Sequence, residues 1–422
     1  MYKVKSIEVD GFWGERQASS SFREDVNIII GKNGTGKTTF MNIMHAVLSV
    51  DIDGLCDNFF KKVSITISDG SRTKKITALR ISDETNPFPL VEYKISNRKF
   101  LIPLIGGEEG RNFSPNLRRR ASEDAQEVKT ELSELVALAS LSVYRLGGDV
   151  DPESRERVQR RHLSPVEQRL ASLTHRLTQY QLELSTEARK ISTDLQRDVL
   201  TSLLYSKSDA DARGYPTDFD VDAERQKLTA AYNQLGVAGS EITRKIQFHV
   251  AAISEASAQL QEFTRTKEMP VSGIKFGALD AFARTSTVVE LSLNAEKKIN
   301  AIFEQINQFI SILKQFVPDK SFVFEAGELV VSSNKPISLG KLSSGEKQLL
   351  ILFIEALLQR RRPYIFLADE PELSLHISWQ RSIISAIRSI NPAAQIIVAT
   401  HSPEIAGKYR SSILDMEDIR RV

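Results

Sequence analysis

The sequence is poor in several features that define whole classes of protein. It has a single cysteine, Cys56, which excludes an internal disulfide framework and fits a reducing compartment. It has no apolar run near the roughly 18 residues that a membrane-spanning helix needs. Its first residues alternate between charged and apolar side chains, unlike the apolar segment of a signal peptide. These absences predict a cytoplasmic protein without a membrane partner.

An excess of charge of one sign is also missing. The 56 lysines and arginines nearly balance the 54 aspartates and glutamates, and the formal net charge is +2. Composition alone therefore does not indicate a nucleic-acid-binding protein. Hydrophobic residues make up 41% of the 422 residues, which is ordinary for a soluble globular protein. A chain of this length predicts two or three domains, or one domain with a large insertion.

The most informative stretch runs from Asn27 to Thr39. An apolar run, predicted to be a strand, ends at Gly31, and the pattern G-x-x-x-x-G-K-[ST] closes at Thr38. Backbone N–H groups at a helix N-terminus bind phosphate, and glycines let the backbone curl around it. Lys37 would add a charge for the β- and γ-phosphates, and the Thr38 hydroxyl would ligate Mg2+. The predicted ATP-binding residues are Asn33, Gly34, Thr35, Gly36, Lys37, Thr38 and Thr39.

Two further apolar runs end in polar residues that would complete a nucleotide site. The run 364–368 leads into Asp369 and Glu370. In this pattern Asp369 holds Mg2+ opposite Thr38, and Glu370 takes a proton from the attacking water as general base. The run 395–400 leads into His401, at the sheet edge where ligands of α/β proteins collect. A lone histidine is usually structural, but beside the other motifs His401 is expected to sense the γ-phosphate.

The segments around the glycine-rich loop show the pattern of antiparallel strands. Residues 3–10 and 61–105 contain short alternating segments separated by turn residues. Phe12 and Trp13 are expected to be buried hairpin aromatics, with a contact to the adenine or the ribose of the nucleotide as the open alternative. Residues 106–127 are polar, include Arg118 to Arg120, and predict a mobile solvated loop. The apolar run 138–144 predicts a short strand.

From about residue 153 to residue 316 the apolar side chains follow a helical period. One heptad seam runs from Val166 to Val199 and a second from Leu228 to Phe263, with the polar break 206–216 between them. Two seams joined by a break predict an antiparallel helical hairpin. An ordinary helical subdomain packed on the core is the open alternative. A third helical stretch, 299–316, is predicted to lead back to the core.

The motifs together resemble those of the ABC-class ATPases, the group that includes the SMC and RecF proteins and the overcoming-lysogenization-defect (OLD) ATPases. Lys37 and Thr38 match Walker A, Asp369 and Glu370 match Walker B, and His401 matches the switch histidine. Residues 342–348, Leu-Ser-Ser-Gly-Glu-Lys-Gln, match the signature motif, and residues 372–376 occupy the D-loop position. The signature departs from LSGGQ, which resembles the soluble branch and argues against a transporter subunit.

This resemblance implies the fold class and the domain organisation. It implies an α/β fold, an ABC-type ATPase head whose P-loop mixed sheet carries an antiparallel β subdomain. An α-helical insertion, possible as a coiled-coil hairpin, would interrupt the head. The predicted parts are 1–150 with the P-loop, 151–317 for the insertion, and 318–422 with the signature, Walker B and the switch histidine. The segment near Arg145 is the candidate for the Q-loop.

The resemblance also implies a dimer. One copy's P-loop would face the other's signature motif in a head-to-tail arrangement over two ATP molecules, and a higher oligomer stays open. Ser343, Ser344 and Gly345 would then contact the γ-phosphate across the interface. ATP binding would close the dimer and hydrolysis would release it.

Three uses of such an ATP- and Mg2+-dependent switch stay open. The segments LSSGEK, DEPELSLH and THSPE resemble the ATPase subunits of anti-phage systems such as PARIS, Septu and retrons, which predicts control of a separate effector chain. A RecF- or SMC-type repair or maintenance ATPase would instead bind DNA in a salt-dependent way. A nucleotide-locked scaffold with very slow hydrolysis is the third possibility. The first is the preferred hypothesis.

Overall fold

The computed structural model describes residues 1–81, 88–105, 115–141, 164–202, 219–234, 239–266, 275–373 and 375–421. The chain divides into two compact units, Met1–Tyr180 with Ile306–Val422 and Gln181–Gln305. The first unit therefore combines the two ends of the chain. In the ranges given above, no helix is both long and apolar enough to cross a membrane.

All the strands that the structure describes lie in the first unit, which also contains many of the helices, and the elements described in the second unit are helices. The strands are β1 (Lys3–Phe12), β2 (Arg16–Ser21), β3 (Val26–Ile30), β4 (Lys62–Ser68), β5 (Thr73–Ile81), β6 (Leu90–Ile95), β7 (Arg98–Pro103), β8 (Leu138–Leu141), β9 (Ser321–Glu325), β10 (Glu328–Ser332), β11 (Pro336–Ile337), β12 (Ile365–Asp369), β13 (Gln395–Ala399), β14 (Ile413–Asp415) and β15 (Arg420–Arg421). The α-helices are α1 (Lys37–Ser49), α2 (Ile52–Asp57), α3 (Pro115–Leu135), α4 (Pro165–Ser202), α5 (Val221–Gln234), α6 (Ser240–Thr266), α7 (Phe276–Phe316), α8 (Ser344–Leu358), α9 (Ile377–Gln380), α10 (Ile383–Ile390), α11 (Pro403–Gly407) and α12 (Met416–Ile419).

A parallel sheet with the order β14-β3-β13-β12-β8 carries the motifs. Each neighbouring pair in it is parallel. Every residue of β12 and β13 is buried, which explains the apolar runs Ile365–Ala368 and Ile396–Ala399, because a parallel sheet is covered on both faces. Helix α1 packs against β8, β12 and β13, and α8 packs against β8.

A second, antiparallel sheet has the order β15-β2-β1-β4-β5-β6-β7. Its inward side chains, such as Ile7 and the directly opposite Ile65, join Phe40 and Val47 of α1 in one core cluster. The α/β fold class with its antiparallel β subdomain is therefore confirmed. The smaller sheet β11-β10-β9 contains the β9–β10 hairpin and precedes α8.

The side chain of Gln395 joins the two larger sheets. Its Oε1 accepts a hydrogen bond from the Val4 N–H at 2.8 Å. Its Nε2 donates to the carbonyl oxygens of Val4 and Arg23, each at 2.7 Å. Gln395 is fully buried, so these bonds satisfy groups that water cannot reach. The first residue of β13 is thereby fixed to β1 and to the turn before β3.

The second unit confirms the predicted helical insertion but not its second arm. Residues of α5, α6 and α7 share one small core, formed by Leu228, Ala231, Ile246, Val250 and Val289. The second arm was predicted as one helix along the seam from Leu228 to Phe263. That prediction is wrong, because α5 ends at Gln234 and a separate helix, α6, begins at Ser240. Gly239, directly before α6, has a non-helical φ of 158°, and a glycine inside a helix costs about 1 kcal/mol relative to alanine.

The loop predicted for residues 106–127 is wrong from Pro115 onward, where α3 begins. Proline suits the first position of a helix. The residues of α3 that are buried recur at helical spacing: Ala121, Ala125, Val128, Leu132 and Leu135. Arg119 and Arg120 lie exposed on this helix. The strand predicted at 138–144 is present as β8, while residues 142–144, Arg145 and the break 206–216 lie outside the described residues.

Candidate functional site

Three neighbouring strands bring the predicted motifs to one edge of the parallel sheet. Strand β13 lies between β3 and β12, with Ala399 in register with both Ile29 and Asp369. Carboxyl ends of parallel strands share one edge, where ligands bind in open α/β sheets. The phosphate loop after β3, Glu370 after β12 and His401 after β13 therefore meet there.

The phosphate loop depends on its glycines. Gly34 has a φ of 79° and Gly36 a φ of 99°, which is left-handed backbone. A Cβ on Gly36 would lie 2.8 Å from the Phe12 ring and 2.9 Å from the Trp13 ring. The Thr35 hydroxyl donates to the Lys32 carbonyl oxygen at 2.9 Å and closes the turn. Of the other predicted nucleotide ligands, Asn33, Gly34 and Thr38 are exposed and Thr39 is half-buried.

Two aromatic side chains lie against this loop. Phe12 is fully buried, as predicted, whereas Trp13 is 43% exposed. The two rings stack with centroids 5.2 Å apart. The guanidinium of Arg420 lies 5.9 Å from the centroid of the Trp13 ring. Trp13 thus presents an exposed aromatic ring beside the phosphate loop, which keeps the alternative of a base contact open.

Lys37 lies across its own loop. Its Nζ donates to the carbonyl oxygens of Gly31 at 3.0 Å and Lys32 at 3.3 Å. It also lies 2.6 Å from Nε2 of His401. Burial lowers the pKa of Lys37, and the nearby carboxylates of Walker B act in the opposite direction. The structure thus places the Walker A lysine and the switch histidine in direct contact.

Asp369 and Thr38 form a pair that fits Mg2+. Asp369 is 5% exposed, and its pKa is raised by burial, while a hydrogen bond from the Thr38 side chain lowers it. Its Oδ1 is buried without a hydrogen-bond partner. Within the described ranges no cluster of three or more His, Cys, Asp or Glu side chains could hold a metal alone. Mg2+ bound to a nucleotide usually takes only one or two protein ligands, so these two residues suffice.

Glu370 has the surroundings of a general base. Its φ of 49° is unusual for a residue with a side chain, and such backbone strain clusters at functional sites. Its Oε1 lies 3.5 Å from Nε2 of His401, and its Oε2 accepts the His401 N–H at 3.2 Å. Burial first, and then a hydrogen bond and the charge of Glu372, raise the pKa of Glu370 to about 8. The carboxyl group can therefore exchange a proton near neutral pH.

Glu372, which the sequence placed only as part of the D-loop segment, is also a residue of this site. It is 8% exposed, and its Oε1 accepts hydrogen bonds from the Thr400 hydroxyl and from the backbone N–H groups of His401 and Ser402, the latter two at 3.1 Å. These bonds join the ends of β12 and β13. A third carboxylate within four residues of a buried strand was the signal that could have identified it.

The signature motif lies at the start of α8. Ser343 is the N-cap: its hydroxyl accepts the Glu346 N–H at 3.3 Å, and the Glu346 carboxylate accepts the Ser343 N–H at 2.9 Å. Ser343 and Ser344 are exposed, and Gly345 is buried. Over the ranges that the structure describes, no hydrogen bond or ion pair joins these residues to the phosphate loop. One chain therefore gathers Lys37, Thr38, Asp369, Glu370 and His401 but leaves the signature serines unpaired with them.

Solved structures with similar architecture are heads of SMC proteins. The Smc head domain of Pyrococcus furiosus, with an extended coiled coil and bound to the C-terminal domain of ScpA, is 15% identical with a TM-score of 0.44, covering 98% of this chain and 93% of that one. The Smc head domain of Pyrococcus yayanosii, with a coiled coil and joint, is 13% identical with a TM-score of 0.43, covering 98% and 95%.

Sequence comparison identifies the family. "Retron Vc95 probable ATPase" of Vibrio cholerae serotype O1 biovar El Tor is 22% identical over 408 residues, which are 91% of this chain and 67% of that protein. "Retron Ec83 probable ATPase" of Escherichia coli is 29% identical over 170 residues, 33% of this chain and 31% of that protein. These relatives confirm the resemblance to retron ATPases. The family model for the AAA ATPase domain matches residues 2–406, and the chain therefore belongs to the AAA ATPase domain family.

Proposed function

We propose that this protein is an ATP-hydrolysing switch that closes into a head-to-tail dimer over two Mg2+–ATP and thereby controls a separate effector chain in anti-phage defence. One observation supports the proposed dimer most directly. The catalytic groups of one chain lie together at the sheet edge, while no hydrogen bond or ion pair among the described residues joins its exposed signature serines to the phosphate loop. A second copy would supply the missing half of each site.

The chain's own residues divide the chemistry between them. Lys37 would exchange its loop carbonyls for the β- and γ-phosphates, which releases His401 to hydrogen-bond the γ-phosphate. Thr38 and Asp369 would hold Mg2+, which when bound supplies charge neutralisation for the phosphates. Glu370 would accept a proton from the attacking water as the bond between the γ-phosphorus and the bridging oxygen breaks. Glu372 would hold the loop of His401 in place.

In the proposed composite site, the signature motif would contact the nucleotide through the N-terminus of α8. The N-terminus of a helix favours an anion, because its first N–H groups have no partner within the helix and the helix dipole is positive there. Ser343 and Ser344 are exposed at this point. The γ-phosphate of a nucleotide bound to a second copy is an anion that they could contact. This arrangement would make nucleotide binding and dimer formation one event.

The biological role is inferred from the two relatives. Both bear the names of retron ATPases, and this chain spans 67% of the first and 31% of the second. We infer a similar setting, in which the nucleotide-bound dimer holds or activates an effector encoded by another chain. Binding to DNA, the alternative of the repair ATPases, has no specific support among the contacts described above.

The test of the dimer uses Glu370→Gln, which keeps the shape of the side chain and removes the base. With ATP and Mg2+ we expect this variant to double its mass in light scattering, while turnover falls about 10²- to 10⁴-fold and ATP affinity is kept. The wild-type chain with ATP, and the variant with ADP, are the controls. If the variant loses ATP binding as well, Glu370 is not the base.

The test of the role compares turnover with and without DNA and identifies proteins that co-purify from the native host. We expect an effector chain to co-purify and DNA to leave turnover within about twofold. A strong stimulation of turnover by DNA, with no co-purifying partner, would refute the defence role and leave the ATPase switch intact.

A further inference from the structure

The signature motif of this chain carries an acidic residue at its phosphate-binding end. Glu346 lies in the first turn of α8, and its Oε2 accepts the backbone N–H of Ser343. A carboxylate in the first turn stabilises a helix, but it also competes with any other anion at that helix end. In the proposed dimer the anion is the γ-phosphate of a second copy's ATP. An unneutralised Glu346 would repel it.

Lys320 neutralises this carboxylate. Its Nζ lies 2.5 Å from Oε1 of Glu346, and the two side chains are only 16% and 11% exposed. Since Oε2 of Glu346 faces Ser343 and Oε1 faces Lys320, the carboxylate is held between the signature N-cap and the lysine. Partial burial strengthens such a pair compared with one in water. The hydrogen bond that Lys320 donates to Glu346 raises the pKa of Lys320, which keeps the ammonium charged.

The neighbouring lysine is already engaged elsewhere. Lys347 follows Glu346 directly, but its Nζ lies 2.8 Å from Oε1 of Glu167 at the start of α4. Lys320 comes from the turn between α7 and β9, where its backbone N–H donates to the Val317 carbonyl oxygen at 3.3 Å. Its second acidic neighbour, Asp319, is 3.3 Å away and exposed. Lys320 is thus the cation that the fold directs to Glu346.

We propose that Lys320 is a positioning residue for the signature motif: it cancels the charge of Glu346 and holds that side chain on the Ser343 N–H, so that the start of α8 can receive the phosphate of a nucleotide bound to a second copy. This inference depends on the proposed ATP-dependent dimer. It adds that two residues of the signature motif, Ser343 and Glu346, act together with Lys320, which lies outside the motif.

The test is a double-mutant cycle in the Glu370→Gln background, with the ATP-dependent dimerisation constant measured by sedimentation. Lys320→Met should weaken the dimer at least tenfold, since the carboxylate is left uncompensated. Glu346→Gln should have less than a threefold effect, because glutamine also completes a capping box. The double variant should return to within threefold of the background. Binding of a fluorescent ATP analogue to the monomer should stay unchanged throughout.

Two controls separate charge at this site from other effects. Lys314→Met removes one exposed lysine near the end of α7 and should leave dimerisation unchanged. Lys320→Arg should keep the dimer, because arginine preserves the ion pair. If Lys320→Met does not fold, Lys320→Gln, which keeps most of the stem, takes its place in the cycle.

The possible failures are distinguishable. If the Glu370→Gln background does not dimerise with ATP at all, the proposed function fails. If it dimerises and Lys320→Met dimerises equally well, only the role of Lys320 fails. If the double variant is as weak as Lys320→Met alone, Lys320 acts through packing and the inference about charge is overturned.

Discussion

The phosphate loop and the signature motif are both short segments of glycine and hydroxyl residues that precede a helix, yet their helices begin differently. Helix α1 has Gly36 as its N-cap, with no hydrogen bond from a capping side chain. Helix α8 has Ser343 as its N-cap, with both bonds of a capping box. A capped helix start is worth about 1 kcal/mol without any ligand. The signature is therefore formed in advance, while the phosphate loop leaves N–H groups for a ligand to satisfy.

The side chains that contact the phosphate loop and the signature motif also differ. The phosphate loop already holds Lys37, which contacts its carbonyls and His401. The signature serines are exposed, and the start of their helix is held by the ion pairs of Lys320 with Glu346 and of Lys347 with Glu167. The comparison suggests that the phosphate loop rearranges when the nucleotide enters and that the signature does not. Changes in the two segments should therefore affect different steps.

The largest effect is expected from Lys37→Ala. Its ammonium is the charge that binds the phosphates, so ATP affinity should fall about 10²-fold or more, as measured by calorimetry. Lys32→Ala is the matched control, since only the backbone carbonyl of Lys32 takes part in the loop. If Lys37→Ala bound ATP normally but failed to dimerise, the two segments would not differ in the way described.

A smaller effect, on dimerisation and the turnover that depends on it, is expected from substitutions of Ser343. Ser343→Asp keeps a good N-cap but adds a negative charge, so the thermal stability of the monomer should change little. ATP turnover should fall at least tenfold while ATP affinity of the monomer is kept. Ser343→Ala sharpens the comparison, because it should lose about 1 kcal/mol of stability through the missing cap. Equal ATP affinity in all three proteins, measured below the dimerisation range, checks the assignment.

The smallest effect on ATP binding and dimerisation is expected from a third change, whose readout is the pH dependence of stability without nucleotide. The pKa of Glu370 rises from 4.5 to about 8 on folding, so folding favours its neutral form. Its contribution to the free energy of unfolding is present below pH 4.5 and is lost as the pH rises towards 8. Glu370→Gln stays neutral, so it should gain stability relative to the wild type across that window in denaturant titrations. A constant difference between the two proteins would show that Glu370 is not perturbed.

The sequence was most informative where a function imposes a local pattern. Lys37, Asp369 and His401 each follow an apolar run, and parallel strands place such ends together. The β strands of 61–105 showed their alternation directly. Helix α3 was not predicted, because charged residues outnumber the apolar ones along it. Its buried residues Ala121, Ala125 and Val128 nevertheless follow a helical period.

Contacts between distant residues could not be predicted in this way. Nothing around Glu372 indicates that its carboxylate would accept the N–H groups of His401 and Ser402. Nor does the turn that contains Lys320 reveal that its side chain reaches Glu346. Such pairs follow from the packing of whole elements, and a pattern of neighbouring residues does not encode that packing.

The hydrogen bonds by which Gln395 joins the two larger sheets have a consequence for the synthesis of the protein. The backbone N–H and carbonyl groups of Val4 form their hydrogen bonds with Gln395 only once β13 is made. Strand β3 likewise pairs with β13, whose Ile396 is in register with Val26. At about 5–20 residues per second, the ribosome needs roughly 20–70 seconds to make the chain between them. During that time the phosphate loop is already translated, but its strand lacks β13. A nascent chain should therefore be unable to bind ATP until β13 has emerged from the ribosome.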